Sequence, residues 1–226
     1  MVDIMKDNFT YAHNDTSTPE RESRTLSLNK FNFSDFVREI RRSAFGRGIP
    51  VSSDETLAYL CTCALMAKPK NILEIGAAVG VSGICMLEQC TAAHLTTIEF
   101  NPDFATEAEA NFAGAHMSDR ATVIRGDAAE VLPTLKGQYD FIFLDGPKVQ
   151  YVKYLPQLKR LLSRGGTLFA DDVLLYGWVN GERETPKKRK MLVEHIREYI
   201  TAVTNDDELY SVIVDVGNGV AMSVKK

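Results

Sequence analysis

Three carboxylates in the second half of the chain directly follow apolar, strand-like runs. Asp145 comes after "YDFIFL", and Asp171 and Asp172 stand side by side after "GTLFA". Because parallel strands end at the same edge of a sheet, we expect these side chains to lie close together. Like charges at one place repel, and carboxylate oxygens suit a hard divalent cation such as Mg²⁺ or Ca²⁺. The alternative is that Asp172 only caps a turn and Asp145 only binds backbone N–H groups.

A second set of residues follows earlier strand-like runs and suits a nucleoside ligand. In "ILEIGAAVGVSG", Glu74 ends a strand and Gly76 lies in the turn before a helix, but the glycine spacing is not that of a dinucleotide-binding loop. Glu99, at the end of the next strand, is placed to take ribose hydroxyls. Asp127 follows the third strand and could accept the adenine amino group or simply cap a helix. A nucleoside with a positive centre and an amino-acid tail, S-adenosylmethionine, fits this set.

Alternating strands and helices must bring these residues together. From Asn71 onward, five apolar runs alternate with helix-like stretches near 80–90, 103–113, 127–135 and 148–162, which is the pattern of parallel βαβ units. A further helix is predicted from about Lys187 to Val203. Two last strand-like runs, "LYSVIVDV" and "VAMSVKK", are joined by "GNG", which favours a tight hairpin. The pattern predicts an α/β fold with a mostly parallel sheet of seven strands and an antiparallel last strand.

The chain before this alternating pattern divides into an arm and a helical cap. We expect residues 1–28 to form a flexible N-terminal arm. Ser34 can cap one helix, and Ser52 or Ser53 can start a second helix with an apolar stripe. We expect a single domain over residues 29–226, in which 29–68 form the helical cap and 69–226 form the α/β core.

Composition and charge exclude several functional classes. The 226 residues carry a net charge of −4, which gives no general attraction to nucleic acid or to anionic membranes. No apolar run is long enough to span a bilayer, and the N-terminal stretch lacks the features of a signal peptide. The four cysteines form no C-x-x-C pair and are expected to be reduced and buried. We therefore expect a cytoplasmic protein with no membrane partner.

From about residue 45 to 226 the chain resembles the metal-dependent O-methyltransferases that include catechol and caffeoyl-CoA O-methyltransferases. The motifs "LEIGAAVGVSG", "TTIEFNPDF", "FIFLDGPKVQY" and "LFADDVLLYGWV" stand in the order and spacing of that family. Within the family, the C-terminal half is most similar to bacterial tRNA 5-hydroxyuridine methyltransferases, through "KVQY", "DDVLLYGWV", "PKKRKMLVEHIREY" and "VGNGVAMS".

The resemblance implies a Rossmann-like class I methyltransferase fold, a homodimer and a role for each site residue. Asp145 and Lys148 would be catalytic, with Lys148 beside the reacting oxygen. Asp145, Asp171 and Asp172 would hold the metal, although the family usually has Asp-Asn where this chain has two aspartates. The residues that would contact S-adenosylmethionine are Val51, Ser52, Glu74, Gly76, Ser82, Glu99, Asp127, Ala128 and Asp145. The first two of these would lie at its methionine end.

The substrate depends on features outside the carboxylate cluster. A chelating cation needs two adjacent oxygens, which 5-hydroxyuridine and a catechol both offer. The basic run Lys187–Lys190 favours contact with the anticodon region of a tRNA, although it could also be a solvated helical face. We therefore expect a Mg²⁺-dependent tRNA 5-hydroxyuridine O-methyltransferase that forms 5-methoxyuridine.

Two alternatives to the tRNA substrate stay open. One is methylation of a small, catechol-like phenol, although "ELYSVIVDV" has no clear match to the glutamate that helps seat catechols in the animal enzyme. The other is a non-catalytic S-adenosylmethionine-binding module. The complete acid set and Lys148 disfavour the second alternative, because binding alone requires neither.

Overall fold

The computed structural model describes residues 33–226, so the predicted N-terminal arm lies outside the described residues. Two helices come first, α1 (Asp35–Gly46) and α2 (Asp54–Ala67). Each begins after a serine, Ser34 or Ser53, whose hydroxyl accepts a hydrogen bond at 3.2 Å from the amide three residues on. These N-caps satisfy amides that the first turn of a helix leaves without partners, which explains where both helices start.

An alternation of strands and helices follows, as the apolar runs predict. The strands are β1 (Asn71–Ile75), β2 (His94–Glu99), β3 (Ala121–Arg125), β4 (Tyr139–Leu144), β5 (Leu162–Ala170), β6 (Leu209–Val214) and β7 (Val220–Lys225). The helices are α3 (Val81–Gln89), α4 (Pro102–Gly114), α5 (Ala128–Val131), α6 (Tyr151–Leu161) and α7 (Lys190–Thr204). Short 3₁₀ turns at Lys148–Gln150 and Lys187–Arg189 precede α6 and α7, so the helix predicted from Lys187 begins with a tighter turn.

The seven strands form one sheet in the order β3-β2-β1-β4-β5-β7-β6. The first five strands are parallel, and β7 runs antiparallel to both of its neighbours. This confirms the predicted α/β fold and the antiparallel last strand. The strand order reverses between β1 and β4, and ligands of open α/β sheets bind at the carboxyl edge beside such a reversal.

Helices cover both faces of the sheet, which is why its strands read as nearly continuous apolar runs. Helices α1 to α4 pack on the face that carries Phe141, Phe143 and Phe169. Helices α5 to α7 pack on the opposite face, against Ile75 and Ile142. Among residues 33–226, no helix is long and apolar enough to cross a bilayer.

Gly76 lies in the turn after β1, where the backbone of β1 meets the backbone that follows β4. Its φ is +98°, and an added Cβ would lie 2.5 Å from the carbonyl oxygen of Asp145. Gly137 has nearly the same φ, +97°, but an added Cβ there would meet nothing within 4 Å. Comparing alanine substitutions at Gly76 and Gly137 therefore separates the free-energy cost of a left-handed alanine from the cost of a steric clash.

We expect Gly137→Ala to lower the free energy of unfolding by about 1–2 kcal/mol, the cost of a left-handed alanine. Gly76→Ala should cost a further ~1–3 kcal/mol, because the Asp145 backbone must shift to admit the methyl group. Urea unfolding of both variants measures the difference. Equal losses would show that the contact with Asp145 does not constrain this turn.

Candidate active site

The three predicted carboxylates come together at the carboxyl ends of β4 and β5. The amide of Asp145 donates to the carbonyl of Ile75 at 2.9 Å, and the amide of Asp171 donates to the carbonyl of Leu144 at 3.0 Å. These bonds extend the sheet pairing by one residue past each strand. As a result, one carboxylate oxygen from each of Asp145, Asp171 and Asp172 lies within 4.8 Å of the others.

A left-handed turn lets two consecutive aspartates point into the same cluster. Asp172 has a φ of +60°, a conformation that aspartate tolerates better than most residues. Its amide donates to the Oδ1 atom of Asp171 at 2.7 Å. In a continuing strand, neighbouring side chains would lie on opposite faces of the sheet. The turn removes that alternation, and both side chains are almost fully buried.

Lys148 lies against the cluster and pairs with two of its acids. Its ammonium is 2.6 Å from Asp145 and 3.3 Å from Asp172, and it donates to the hydroxyl of Tyr151 at 2.9 Å. Burial by itself lowers the pKa of Lys148, but the nearby carboxylates, Asp145 foremost, raise it well above its usual value. Lys148 is therefore held as an ammonium by the acids around it.

The charge balance of the cluster fits a divalent cation. Three carboxylates face one lysine, so full ionisation leaves an excess of two negative charges. Burial and the charges of Asp172 and Asp145 raise the pKa of Asp171 well above its usual value, which means that ionisation there is opposed. Oxygen-only donors of this kind are the ligands that Mg²⁺ and Ca²⁺ prefer.

An open cleft of about 400 Å³ lies at the same edge of the sheet and reaches Gly146 and Pro147, which directly follow Asp145. It is lined by four of the residues predicted to contact S-adenosylmethionine, namely Gly76, Glu99, Asp127 and Ala128. Its other walls are formed by Ile75, Ile98, Phe100, Gly126 and Tyr154. The cleft thus combines two carboxylates with apolar and aromatic walls, as a nucleoside requires.

Two acids of the cleft are held in place by backbone amides. The buried Glu99 carboxylate accepts hydrogen bonds from the amides of Ala78 and Asn101, both at 2.8 Å, and burial raises its pKa. Asp127 accepts a bond at 2.8 Å from the amide of Ala129 and so caps α5. Asp127 therefore caps a helix and also lines the cleft, and its contact with the adenine amino group stays a prediction.

The other five predicted cofactor residues are not among the described residues that line this cleft, namely Val51, Ser52, Glu74, Ser82 and Asp145. Glu74 is fully buried in the sheet, where it accepts a hydrogen bond at 2.5 Å from the hydroxyl of Ser82. Ser52 is also buried, and its carbonyl accepts a bond at 3.2 Å from the guanidinium of Arg41. Val51 beside it is half-buried. A cofactor contact by these five residues stays a prediction.

Glu74 should make the stability of the protein depend on pH. Burial, above all, raises its pKa from 4.5 to about 7, against the opposing hydrogen bond from Ser82. A carboxyl whose folded pKa lies above its unfolded pKa binds extra proton in the folded state, so stability falls as pH rises between the two values. From pH 5 to pH 8 the free energy of unfolding should fall by on the order of 2 kcal/mol relative to Glu74→Gln, which does not titrate. Urea unfolding across that range measures this, and parallel pH curves for the two proteins would contradict it.

Three aromatic residues of this region were not predicted from the sequence. Phe100 and Tyr154 line the cleft, and Tyr151 contacts Lys148. Phe100 is 56% exposed at the cleft. It directly follows Glu99 in the sequence, so an aromatic residue beside a strand-end acid was the signal that could have found it. Tyr151 lies three residues after Lys148, a spacing that places two side chains on the same side of a helical segment.

Comparison with known proteins identifies the family. The sequence profile of the O-methyltransferase family matches residues 25–226. An O-methyltransferase of Aspergillus hancockii is 33% identical over 125 residues, which cover 54% of this chain and 50% of the relative. A catechol O-methyltransferase of Mycobacterium tuberculosis is 32% identical over 128 residues, which cover 56% of this chain and 58% of the relative. The chain thus spans between half and three fifths of the length of these two relatives.

A solved structure extends the similarity to nearly the whole fold. A methyltransferase of Podospora anserina, determined with S-adenosylhomocysteine bound, superimposes with a TM-score of 0.80 and 25% sequence identity. The superposition covers 88% of this chain and 91% of that protein. The carboxyl-edge cleft, the sheet order and the family match agree with one another, and the chain therefore belongs to the family of S-adenosylmethionine-dependent O-methyltransferases.

Proposed function

We propose that this O-methyltransferase uses a bound divalent cation, Mg²⁺ foremost, to methylate one of two adjacent oxygens on a small aromatic substrate. The observation that carries the proposal is the cluster of Asp145, Asp171, Asp172 and Lys148 beside the cleft. Such a cluster favours a bound cation, and a cation held by carboxylates favours a substrate that offers two oxygens side by side. A named relative that acts on catechols is consistent with this substrate class.

The cleft accounts for the cofactor in this proposal. Glu99 would accept the ribose hydroxyls of S-adenosylmethionine, and Asp127 would accept its adenine amino group. Ile98 and Phe100 supply apolar and aromatic surface for the adenine ring. The path from the cleft past Gly146 to Asp145 would place the sulfonium end of the cofactor toward the carboxylate cluster.

In this proposal the aspartates and the lysine of the cluster have different roles in methyl transfer. When bound, a divalent cation lowers the pKa of a substrate hydroxyl and fixes the direction of two adjacent oxygens. Asp145, Asp171 and Asp172 would hold that cation. Lys148, as an ammonium, would stabilise negative charge on the oxygen that attacks the methyl group. Because a sulfonium is already a good electrophile, alignment and an anionic oxygen are what the protein has to provide.

The hairpin between β6 and β7 carries an acid, Asp215, that bears on the small-substrate proposal. Asp215 directly follows β6, and the hairpin carbonyls of Asn218 and Gly219 accept hydrogen bonds from the amides of Leu174 and Val173. The hairpin therefore lies against the segment that follows the carboxylate cluster. We propose that Asp215, on this hairpin, is the acid that would seat a second hydroxyl of a small substrate.

A second candidate, 5-hydroxyuridine in the anticodon region of a tRNA, is favoured by one observation. Lys187, Lys188 and Lys190 are exposed at the start of α7, after the loop that leaves the carboxylate cluster. Positive charges at a helix N-terminus are unfavourable because they oppose the helix dipole. Contact with the phosphates of an RNA would explain why these lysines are present there. The base has the same adjacent-oxygen chemistry as a catechol.

Methyl transfer from labelled S-adenosylmethionine to two substrates separates the candidates. The purified protein with Mg²⁺ should methylate a simple catechol faster than a tRNA that carries 5-hydroxyuridine. Methylation of the tRNA alone would replace the first candidate with the second. Transfer to neither substrate would contradict the proposal and favour a binding module. As a control, Lys187→Glu with Lys188→Glu should leave catechol methylation unchanged.

A further inference from the structure

We propose that Tyr151 is a positioning residue of this enzyme, and that its hydroxyl holds the ammonium of Lys148 in the place where the reacting oxygen needs it. The inference rests on the proposed function, because it assigns Lys148 a role in methyl transfer. It goes beyond that function by naming the group that makes the position of a flexible lysine definite.

The Tyr151 hydroxyl lies where the ends of β4 and β5 meet. It is 2.9 Å from the carbonyl oxygen of Leu144, 3.2 Å from that of Asp171 and 2.9 Å from the ammonium of Lys148. A phenol has one proton to donate and lone pairs with which to accept. It can therefore donate to a strand-end carbonyl while it accepts from Lys148. This single group ties the lysine to the two strands that carry the acids.

Lys148 needs such a partner because its side chain is long and rotatable. An ammonium on a flexible four-carbon stem has three N–H donors and no fixed direction of its own. Here the three neighbours are Asp145, Asp172 and Tyr151. Tyr151 is the neutral member of this set, so its bond to Lys148 does not depend on how charge is distributed between the two acids. That property suits a group that fixes position during a reaction in which local charge changes.

The ring of Tyr151 is itself fixed by packing. It is fully buried, and it contacts Tyr199 of α7 edge to face, with 5.2 Å between ring centroids and an angle of 75°. Tyr199 is also fully buried, but within the described part of the chain its hydroxyl has no hydrogen-bond partner. The two tyrosines share burial and packing and differ in what their hydroxyls contact. Tyr199 is therefore a matched control.

Two readouts test Tyr151→Phe against Tyr199→Phe. Steady-state kinetics with catechol should show kcat reduced about 10-fold or more in Tyr151→Phe, because the lysine loses its alignment. The KM for S-adenosylmethionine should stay within about twofold, since that cleft is not altered. Tyr199→Phe should keep the wild-type kcat. Thermal unfolding curves should show that both variants are folded at the assay temperature.

The second readout does not involve turnover. In protein labelled with ¹⁵N-lysine, the ammonium signal of Lys148 can be assigned by its loss in Lys148→Met. We expect this signal in the wild type and in Tyr199→Phe, and its loss through faster proton exchange in Tyr151→Phe. If either kcat or this signal is unchanged in Tyr151→Phe, or if both variants lose kcat equally, the proposal is overturned. If the wild type transfers no methyl group, the proposed function fails, whereas the signal still reports whether Tyr151 holds Lys148.

Discussion

Asp145→Ala should nearly abolish methyl transfer, and the activity that remains should no longer depend on added Mg²⁺. Asp145 is the residue that joins the carboxylate cluster to the cleft, since it pairs with Lys148 at 2.6 Å and the next two residues line the cleft wall. Its removal takes away one of three oxygen ligands and frees Lys148 from its nearest acid. We expect kcat to fall by ~10³-fold or more, because both the cation and the lysine lose their alignment.

A carboxylate at the opposite end of the same strand provides the control. Asp140 lies on β4 and accepts bonds from the amides of Lys70 and Asn71, away from the cleft. Asp140→Ala should cost stability but leave turnover and the Mg²⁺ dependence unchanged. Calorimetric titration with Mg²⁺ should show weakened binding in Asp145→Ala only. Wild-type binding of Mg²⁺ by Asp145→Ala would contradict the assignment of this residue as a ligand.

Lys148→Ala should have the second largest effect, a fall in kcat of about 10²–10⁴-fold with little change in the KM for S-adenosylmethionine. The lysine is buried among acids and held as an ammonium, so its loss removes the positive charge that would face the attacking oxygen. The same substitution should tighten Mg²⁺ binding, because it removes a positive charge beside the ligands. A variant that binds the cation more tightly and yet turns over more slowly is difficult to explain by unfolding.

Lys159 is the control for this substitution. It pairs with Asp206 and Glu208 at the other end of α6, so Lys159→Ala should leave both turnover and Mg²⁺ affinity unchanged. Methylation at the wild-type rate by Lys148→Ala would remove the role assigned to Lys148. It would leave the carboxylate cluster as the remaining functional group of the site.

The strand-end acids could be predicted from the sequence because their positions follow from local pattern. A parallel strand ends at a recognisable point, and all such ends lie at one edge of the sheet, so Glu99, Asp145 and Asp171 could be placed before any contact was known. The same reasoning placed Asp127 at the cleft, although it could not show that this residue both caps α5 and lines the cleft wall.

Features that depend on contacts distant in sequence could not be predicted in this way. Position 76 requires a glycine because an added Cβ would meet the carbonyl oxygen of Asp145. Asp145 is nearly seventy residues away in the sequence and approaches Gly76 only in the folded sheet. Tyr151 is significant because its hydroxyl meets the ends of two strands, and no local pattern contains that information. The left-handed turn at Asp172 likewise appears only in three dimensions, and it explains why two adjacent acids reach one cluster.

The dependence of methyl transfer on a divalent cation tests the central claim most directly. The purified wild-type protein should be treated with excess chelator, assayed with labelled S-adenosylmethionine and a catechol, and assayed again after Mg²⁺ is restored. We predict that the chelator removes activity, that Mg²⁺ restores it, and that the unfolding temperature rises on Mg²⁺ addition in the wild type but not in Asp145→Ala. Full activity in excess chelator would contradict the role of Asp145, Asp171 and Asp172 as cation ligands.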